Sequence, residues 1–396
     1  MLPAAILLLF AWAQLAAIPR ETPTVDEQAH LARGLTYART GDLRLYIGHP
    51  PLANLIAALP LLPDPRLDLA LDDPTWGAAD WIEYPITLFW KRANPALTLF
   101  AAGRIMIVLL GLVLLAVVYR LGADLGGPAV GLAALALAAL DPNLRAHARL
   151  VTTDLGVTAM LIGLTWLWRR WDRRPTAALT VATGAAAGLA LASKFSAIIW
   201  VAALAGLTAL TRFRRWRALL GLGAPAALTV WAVYGFELWP VAGRPVPVPF
   251  GHFWVEFLWS LTAIARTPAY LLGRVSRDGF LAYFPVALAV KTPLPLLGLG
   301  LAGLALGWRG WRREAGLWFP ALAFLAVAVL ARINIGYRHL LPALPLVYLA
   351  GGAALVMLWR RARWGAWTRA GRWAAGLAAA WLAANTAAIY PRDLTF

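Results

Sequence analysis

Long apolar runs, separated by short polar stretches, dominate the chain. They fall at 2–18, 99–119, 126–140, 153–168, 176–192, 195–210, 218–236, 284–307, 317–330, 340–358 and 374–389. Most approach the ~20 residues that an α-helix needs to cross a hydrocarbon core. In lipid every backbone polar group must be satisfied within the segment, so such runs read as helices. The pattern predicts an all-α polytopic membrane protein with about eleven spans. The first run also admits a signal-peptide reading, with Ala11-Trp12-Ala13 resembling a cleavage site. No Lys or Arg precedes it, which favours a retained helix. No internal repeat of fixed period is visible, which argues against repeat-built transporter folds.

The polar stretches differ in charge, and that difference predicts sidedness. Arginines cluster after the runs ending at 168, 210, 307 and 358: Arg169, Arg170, Arg173 and Arg174; Arg212, Arg214, Arg215 and Arg217; Arg309, Arg312 and Arg313; Arg360, Arg361, Arg363, Arg369 and Arg372. If every span is real, these stretches share one side, which the positive-inside rule makes cytoplasmic. The N-terminus is then inside and the C-terminus outside. The outer face receives a large first loop at 19–98, the segments 141–152, 193–194 and 332–339, a second large loop at 237–283, and the tail from 390. The whole chain, 1–396, reads as one membrane domain.

Composition agrees. The chain is 61% hydrophobic and 14% charged, against ~25% charged in soluble domains. Many of the 21 tryptophans sit at the ends of apolar runs, as in the aromatic belts of membrane interfaces. The net charge of +17 is concentrated in the stretches between spans, so it reports topology and not nucleic-acid binding. The absence of cysteine excludes disulfides, thiolate nucleophiles and cysteine metal sites.

Candidate chemistry lies on the outer side. Thr24 and Glu27 fit a capping box that opens a helix running to about Thr40 and closing at Gly41. Glu27 can therefore be a cap or a catalytic carboxylate. Asp26 lies in the first turn, where the helix dipole favours an anion, and His30 follows one turn later. Such a group suits a general base or a divalent-metal site. In Gly48-His49-Pro50-Pro51-Leu52, Pro51 launches a new helix, which puts His49 near a helix N-terminus suited to phosphate or leaves it at a plain junction. Asp154 begins a membrane helix, as an N-terminal cap or as a site residue. Lys194, Lys291, Arg338 and His339 interrupt apolar sequence at membrane boundaries. Charges there are costly unless paired, and they either snorkel to headgroups or form a lipid-phosphate pocket.

These residues occur in an ordered set: Thr24-Val25-Asp26-Glu27-Gln28-Ala29-His30, Gly41-Asp42, His49-Pro50-Pro51-Leu52, Thr153-Asp154, Ala192-Ser193-Lys194-Phe195-Ser196, Lys291-Thr292-Pro293 and Gly336-Tyr337-Arg338-His339-Leu340-Leu341-Pro342. The set resembles the phospholipid carrier-dependent glycosyltransferases, bacterial relatives of protein O-mannosyltransferases and of lipid A aminoarabinose transferases. The resemblance implies a GT-C fold, with membrane-parallel helices in the first outer loop. It implies a catalytic Asp-Glu pair at Asp26 and Glu27. The aminoarabinose transferases carry Lys before Pro-Pro-Leu where this chain has His49. Many relatives also continue past the last helix into an outer soluble tail.

The expected reaction is transfer of a sugar from a polyprenyl-phosphate donor to a hydroxyl acceptor at the outer face of the cytoplasmic membrane, with inversion. Asp26 would take the acceptor proton. His49, Lys194, Lys291, Arg338 and His339 would bind the lipid phosphate, and His30 and Asp154 would orient the acceptor. Glu27, His30 and Asp154 could hold a divalent metal. The competing readings are a secondary transporter, a lipid-linked-sugar flippase and a non-enzymatic scaffold.

Overall fold

The computed structural model describes residues 1–211, 216–241, 246–263, 268–307, 310, 314–332, 334–361 and 366–395. Helix α1 (Leu2–Ala17) leads through a 3₁₀ turn to Arg20. Helix α2 (Val25–Thr40) begins where the capping box predicts: the Thr24 N–H donates to the Glu27 carboxylate at 2.8 Å. It ends at Gly41, whose φ of +73° is left-handed and favours glycine. Helix α3 (Leu52–Ala58) starts directly after Pro51. Its first N–H, which has no partner within its own helix, donates to the Ala192 carbonyl at 3.0 Å. Two short helices, α4 (Pro74–Gly77) and α5 (Glu83–Ile86), complete the first loop.

The bundle follows. Helix α6 (Ala96–Gly126) has 31 residues. Then come α7 (Pro128–Leu140), the short α8 (Pro142–His147), α9 (Thr153–Arg173), α10 (Ala177–Leu191), α11 (Ala197–Thr211) and α12 (Trp216–Val233). The second large loop is a helix, α13 (Gly251–Ala263), between two small antiparallel hairpins. These are β1 (Leu238–Pro240) with β2 (Pro247–Pro249), and β3 (Ala269–Leu271) with β4 (Arg274–Ser276). The chain closes with α14 (Tyr283–Lys291), α15 (Leu294–Gly307), α16 (Ala315–Ala331), a 3₁₀ segment (Tyr337–Ala343), α17 (Leu344–Arg361) and α18 (Ala366–Ile389).

Among the described residues, three helices are long and apolar enough to cross a membrane on their own: Leu2–Arg20, Ala96–Gly126 and Tyr337–Arg360. Several other predicted runs form apolar helices of 10–17 residues. The run at 284–307 is not one straight helix. It bends by 112° between α14 and α15. Thr292 is extended (φ −86°, ψ 129°), because the ring of Pro293 disfavours a helical conformation in the residue before it.

Apolar packing and a few buried polar pairs hold the bundle. The indole N–H of Trp200 donates to Thr165 at 3.0 Å, and that of Trp168 to Thr208 at 3.1 Å, tying α9 to α11. Close helix approach depends on glycine at one point near the site. A Cβ on Gly34 would lie 2.0 Å from the Asn54 carbonyl oxygen, so α2 and α3 can touch only with glycine there.

The segments predicted to be outer all meet at one end of the bundle. Arg149 pairs with Glu21 at 2.5 Å and with Asp393 at 2.8 Å, joining the first loop, the 141–152 segment and the C-terminal tail. Asn143 donates to the Lys291 carbonyl at 2.7 Å, and Tyr37 to the Val233 carbonyl at 2.9 Å. At the opposite end Arg169 pairs with Glu314, and Asp124, Arg170, Arg173 and Arg174 line a separate hollow. Arg212, Arg214, Arg215, Arg309, Arg312, Arg313 and Arg363 lie outside the described residues.

Candidate active site

The joined end holds a cavity of about 650 Å³. One part of its wall is apolar, made by Ile199 of α11, Phe284 of α14, and Phe324, Val327, Ala328 and Ala331 of α16. The other is polar and receives Asp26, His30, His49, Asp154, Lys194, Arg338 and His339. These side chains come from five separate stretches of the sequence. The ion pairs and hydrogen bonds between outer segments bring them together.

Asp26 projects from the first turn of α2 and its side chain is 45% exposed. It is ion-paired with Arg338, from the turn that precedes α17. Arg338 also lies 3.9 Å from Asp154. Asp154, at the start of α9, receives Lys194 at 2.6 Å, and both are buried. The cavity therefore holds two cations and two carboxylates in alternation, with no net formal charge among the four.

The histidines add polarity without charge. His30 accepts or donates a hydrogen bond at Nδ1 with Asn54, at 3.0 Å, and stacks on His49 with ring centroids 5.7 Å apart. Burial lowers the pKa of His30 to about 4, against smaller opposing effects from Asp26 and Asn54. Burial, reinforced by nearby Lys194, drives that of His49 well below the ordinary value. Both are neutral at pH 7. His49 can offer a ring nitrogen to a phosphate there, but no positive charge. His339 lines the same wall, and its Nε2 is buried without a hydrogen-bond partner.

Two residues expected in the site lie elsewhere. Lys291 is exposed at the end of α14 and is not part of the cavity wall; its carbonyl, not its ammonium, makes the contact noted above. Glu27 is fully buried and is not part of the cavity wall. Its carboxylate accepts from Arg104 Nε at 2.8 Å and Nη2 at 2.7 Å, from Val151 N–H at 3.1 Å and from Thr24 N–H. Arg104 uses its remaining N–H groups on the Ile18, Glu21 and Thr22 carbonyls. Glu27 thus fixes the first turn of α2 and aims its neighbour Asp26 into the cavity. The trio Glu27, His30 and Asp154 does not assemble as a metal site, since Glu27 faces Arg104. Among the described residues no three His, Asp or Glu side chains group closely enough to hold a metal ion.

Sequence reasoning missed four residues that build the site. Arg104 carried a signal: it is a lone charge within the apolar run at 99–119, which by itself implies a buried partner. Asn54, which orients His30, carried none. Arg33 and Glu256 form a buried bidentate pair, both bonds 2.6 Å, across 223 positions of sequence.

Residues 97–239 match the sequence model of a family described as dolichyl-phosphate-mannose-protein mannosyltransferase. No curated protein matches the sequence. Among solved structures, ArnT from Cupriavidus metallidurans aligns over 91% of this chain, with a TM-score of 0.58 at 16% identity. Its apo form and its form bound to undecaprenyl phosphate give the same values. This chain has the GT-C fold. The chain spans 62% of the length of the ArnT chain it matches. Both matches agree with the glycosyltransferase family that the ordered motifs resemble, and with a multi-pass membrane protein.

Proposed function

We propose that the GT-C chain transfers a sugar from a polyprenyl-phosphate donor to an acceptor hydroxyl, at the outer face of the cytoplasmic membrane. The observation that carries this reading is the cavity itself: an apolar wall continuous with a polar end that presents Asp26, Lys194 and Arg338. A lipid-linked sugar phosphate has the same division. Its prenyl chain suits α11, α14 and α16; its phosphate suits Lys194 and Arg338. The solved relative bound to undecaprenyl phosphate supports a donor of this class. The Arg-rich loops favour a topology with the site outside, the N-terminus inside and the C-terminus outside.

In the reaction the acceptor oxygen attacks the anomeric carbon as the bond from that carbon to the phosphate oxygen breaks. The acceptor proton goes to Asp26, and the electron pair of the broken bond leaves with the polyprenyl phosphate. A single displacement inverts the anomeric centre. Arg338 is shared: it pairs with Asp26, and an arriving phosphate competes for it. The exchange binds the donor and releases Asp26 to act as general base. Lys194, held in place by Asp154, stabilises the charge that grows on the leaving phosphate. Glu27 orients Asp26 and touches no substrate.

Polar residues meeting at one end of the bundle favour transfer over transport, whose sites lie near the midplane. The test is purified protein in detergent with a panel of polyprenyl-phosphate sugars, scored for sugar transfer or release. The wild-type protein should consume at least one donor. Asp26→Asn should lose about 10²–10⁴-fold in kcat, the usual contribution of a general base. Full turnover in that variant, or solute uptake into sealed vesicles with no transfer product, rules the assignment out.

A further inference from the structure

Helix α13 carries three buried polar residues at four-residue spacing: His252, Glu256 and Ser260. They form one face, and that face is turned into the protein. On the other side Trp254, Leu258 and Leu261 are exposed. This inverts the usual helix pattern, and the middle residue explains why. The Glu256 carboxylate is completely enclosed. It accepts two bonds from Arg33, and its Oε1 also accepts the N–H groups of Ile47 at 3.2 Å and Gly48 at 3.1 Å. Arg33 donates in addition to the His49 carbonyl. One carboxylate of the second outer loop therefore grips both α2 and the turn 47–49 of the first.

That turn is part of the cavity. Ile47, Gly48 and His49 line it, as do Trp259 and Ser260 from α13. The His49 ring stacks on His30, so the orientation of both rings depends on where the turn is held. Gly48 sits at φ +77° with Trp259 directly against it. The turn has no regular ladder of its own; its amides find their acceptor on Glu256.

We infer that Glu256, through Arg33, is a positioning residue for the donor site: it sets the 47–49 turn and the stacked His30–His49 wall against which the sugar phosphate is held. The inference rests on the donor assigned above only for the ligand used in its test. Backbone N–H groups that donate to a buried carboxylate lose that acceptor if the carboxylate goes, whatever the chain binds.

The test is the paired substitution Arg33→Met with Glu256→Met. It removes both charges together and keeps the side-chain volumes close, a change that buried ion pairs often tolerate. Two readouts are taken on the full chain in detergent micelles: amide hydrogen exchange at 46–49, and the affinity for undecaprenyl phosphate. The thermal midpoint serves as the check on folding. The expected result is a midpoint near wild type, exchange at Ile47 and Gly48 faster by about tenfold or more, and affinity weaker by about tenfold, as for two amides losing a buried acceptor. Unchanged exchange overturns the proposal, and so does faster exchange with unchanged affinity. Should the double variant not fold, Glu256→Asp is used. It keeps the charge opposite Arg33 while drawing the carboxylate back from the two amides by one methylene, and should move both readouts in the same direction by less. Wild-type protein that binds no undecaprenyl phosphate would refute the donor assignment, and exchange alone would then decide the role of Glu256.

Discussion

The enclosed position of Glu27 makes a prediction that separates two roles for one carboxylate. Glu27 is 0% exposed and its partner Arg104 is 1% exposed. Removing one member of a buried ion pair leaves an uncompensated charge, at a cost of about 3–5 kcal/mol. Arg104→Met also takes donors from the Ile18, Glu21 and Thr22 carbonyls, so its effect should fall at the upper end of that range. Against a typical total of about 5–15 kcal/mol, either Arg104→Met or Glu27→Gln should cause a large fall in the unfolding midpoint. The double variant Arg104→Met with Glu27→Met removes both charges at once. It should recover at least about 2 kcal/mol relative to the sum of the single changes, within the coupling range for contacting residues. The assay is thermal or denaturant unfolding in detergent, with turnover measured on the folded fraction. A residue that acts on substrate would behave in the opposite way. If Glu27→Gln abolishes turnover while the unfolding midpoint is preserved, the positioning role assigned to Glu27 is wrong.

Asp26→Asn should separate binding from catalysis: it frees Arg338 for the phosphate, so affinity for undecaprenyl phosphate should hold or rise while transfer is lost, and weakened binding would contradict a shared Arg338. Lys194→Met leaves Asp154 buried beside only the more distant Arg338, so it should cost stability by about 3–5 kcal/mol and turnover by about 10²–10³-fold; adding Asp154→Asn should restore the unfolding midpoint but not the turnover. Acid should destabilise the fold through its buried histidines. Burial lowers His30 and His147 to about 4, so at a pH well above the unfolded value of 6.5 neither state binds their protons and they contribute no slope. Between pH 6.5 and about 4 the unfolded chain takes up protons that the folded chain refuses, and stability falls with pH in that window; His147→Gln should flatten the fall, and an unchanged pH profile would show that His147 is not the group responsible.

What the sequence revealed and what it hid have a physical division. The grouping of the polar stretches was legible because it depends on charges summed over short loops and on the alternation of spans, and the segments assigned to one face do meet at one end. The start and stop of α2 were legible because Thr24, Glu27 and Gly41 act on neighbours three or four residues away. The bend at Thr292 could have been read from Pro293, but the apolar run masked it: hydropathy counts residues and ignores backbone direction. Pairings between distant segments were not legible. Nothing local distinguishes Glu256, which grips Arg33, from an ordinary surface glutamate, and Lys291 reads locally just like Lys194. The same limit governs the charge of the site. Counting Lys194, Lys291, Arg338, His49 and His339 suggests a strongly cationic pocket. In the folded chain Lys291 is outside it, burial keeps His49 neutral, and Asp26 and Asp154 match the two remaining cations. A phosphate cannot then be drawn in by surplus charge. It must displace a carboxylate, and the carboxylate with the side chain exposed enough to give way is Asp26, the residue that must be released from its ion pair before it can take a proton.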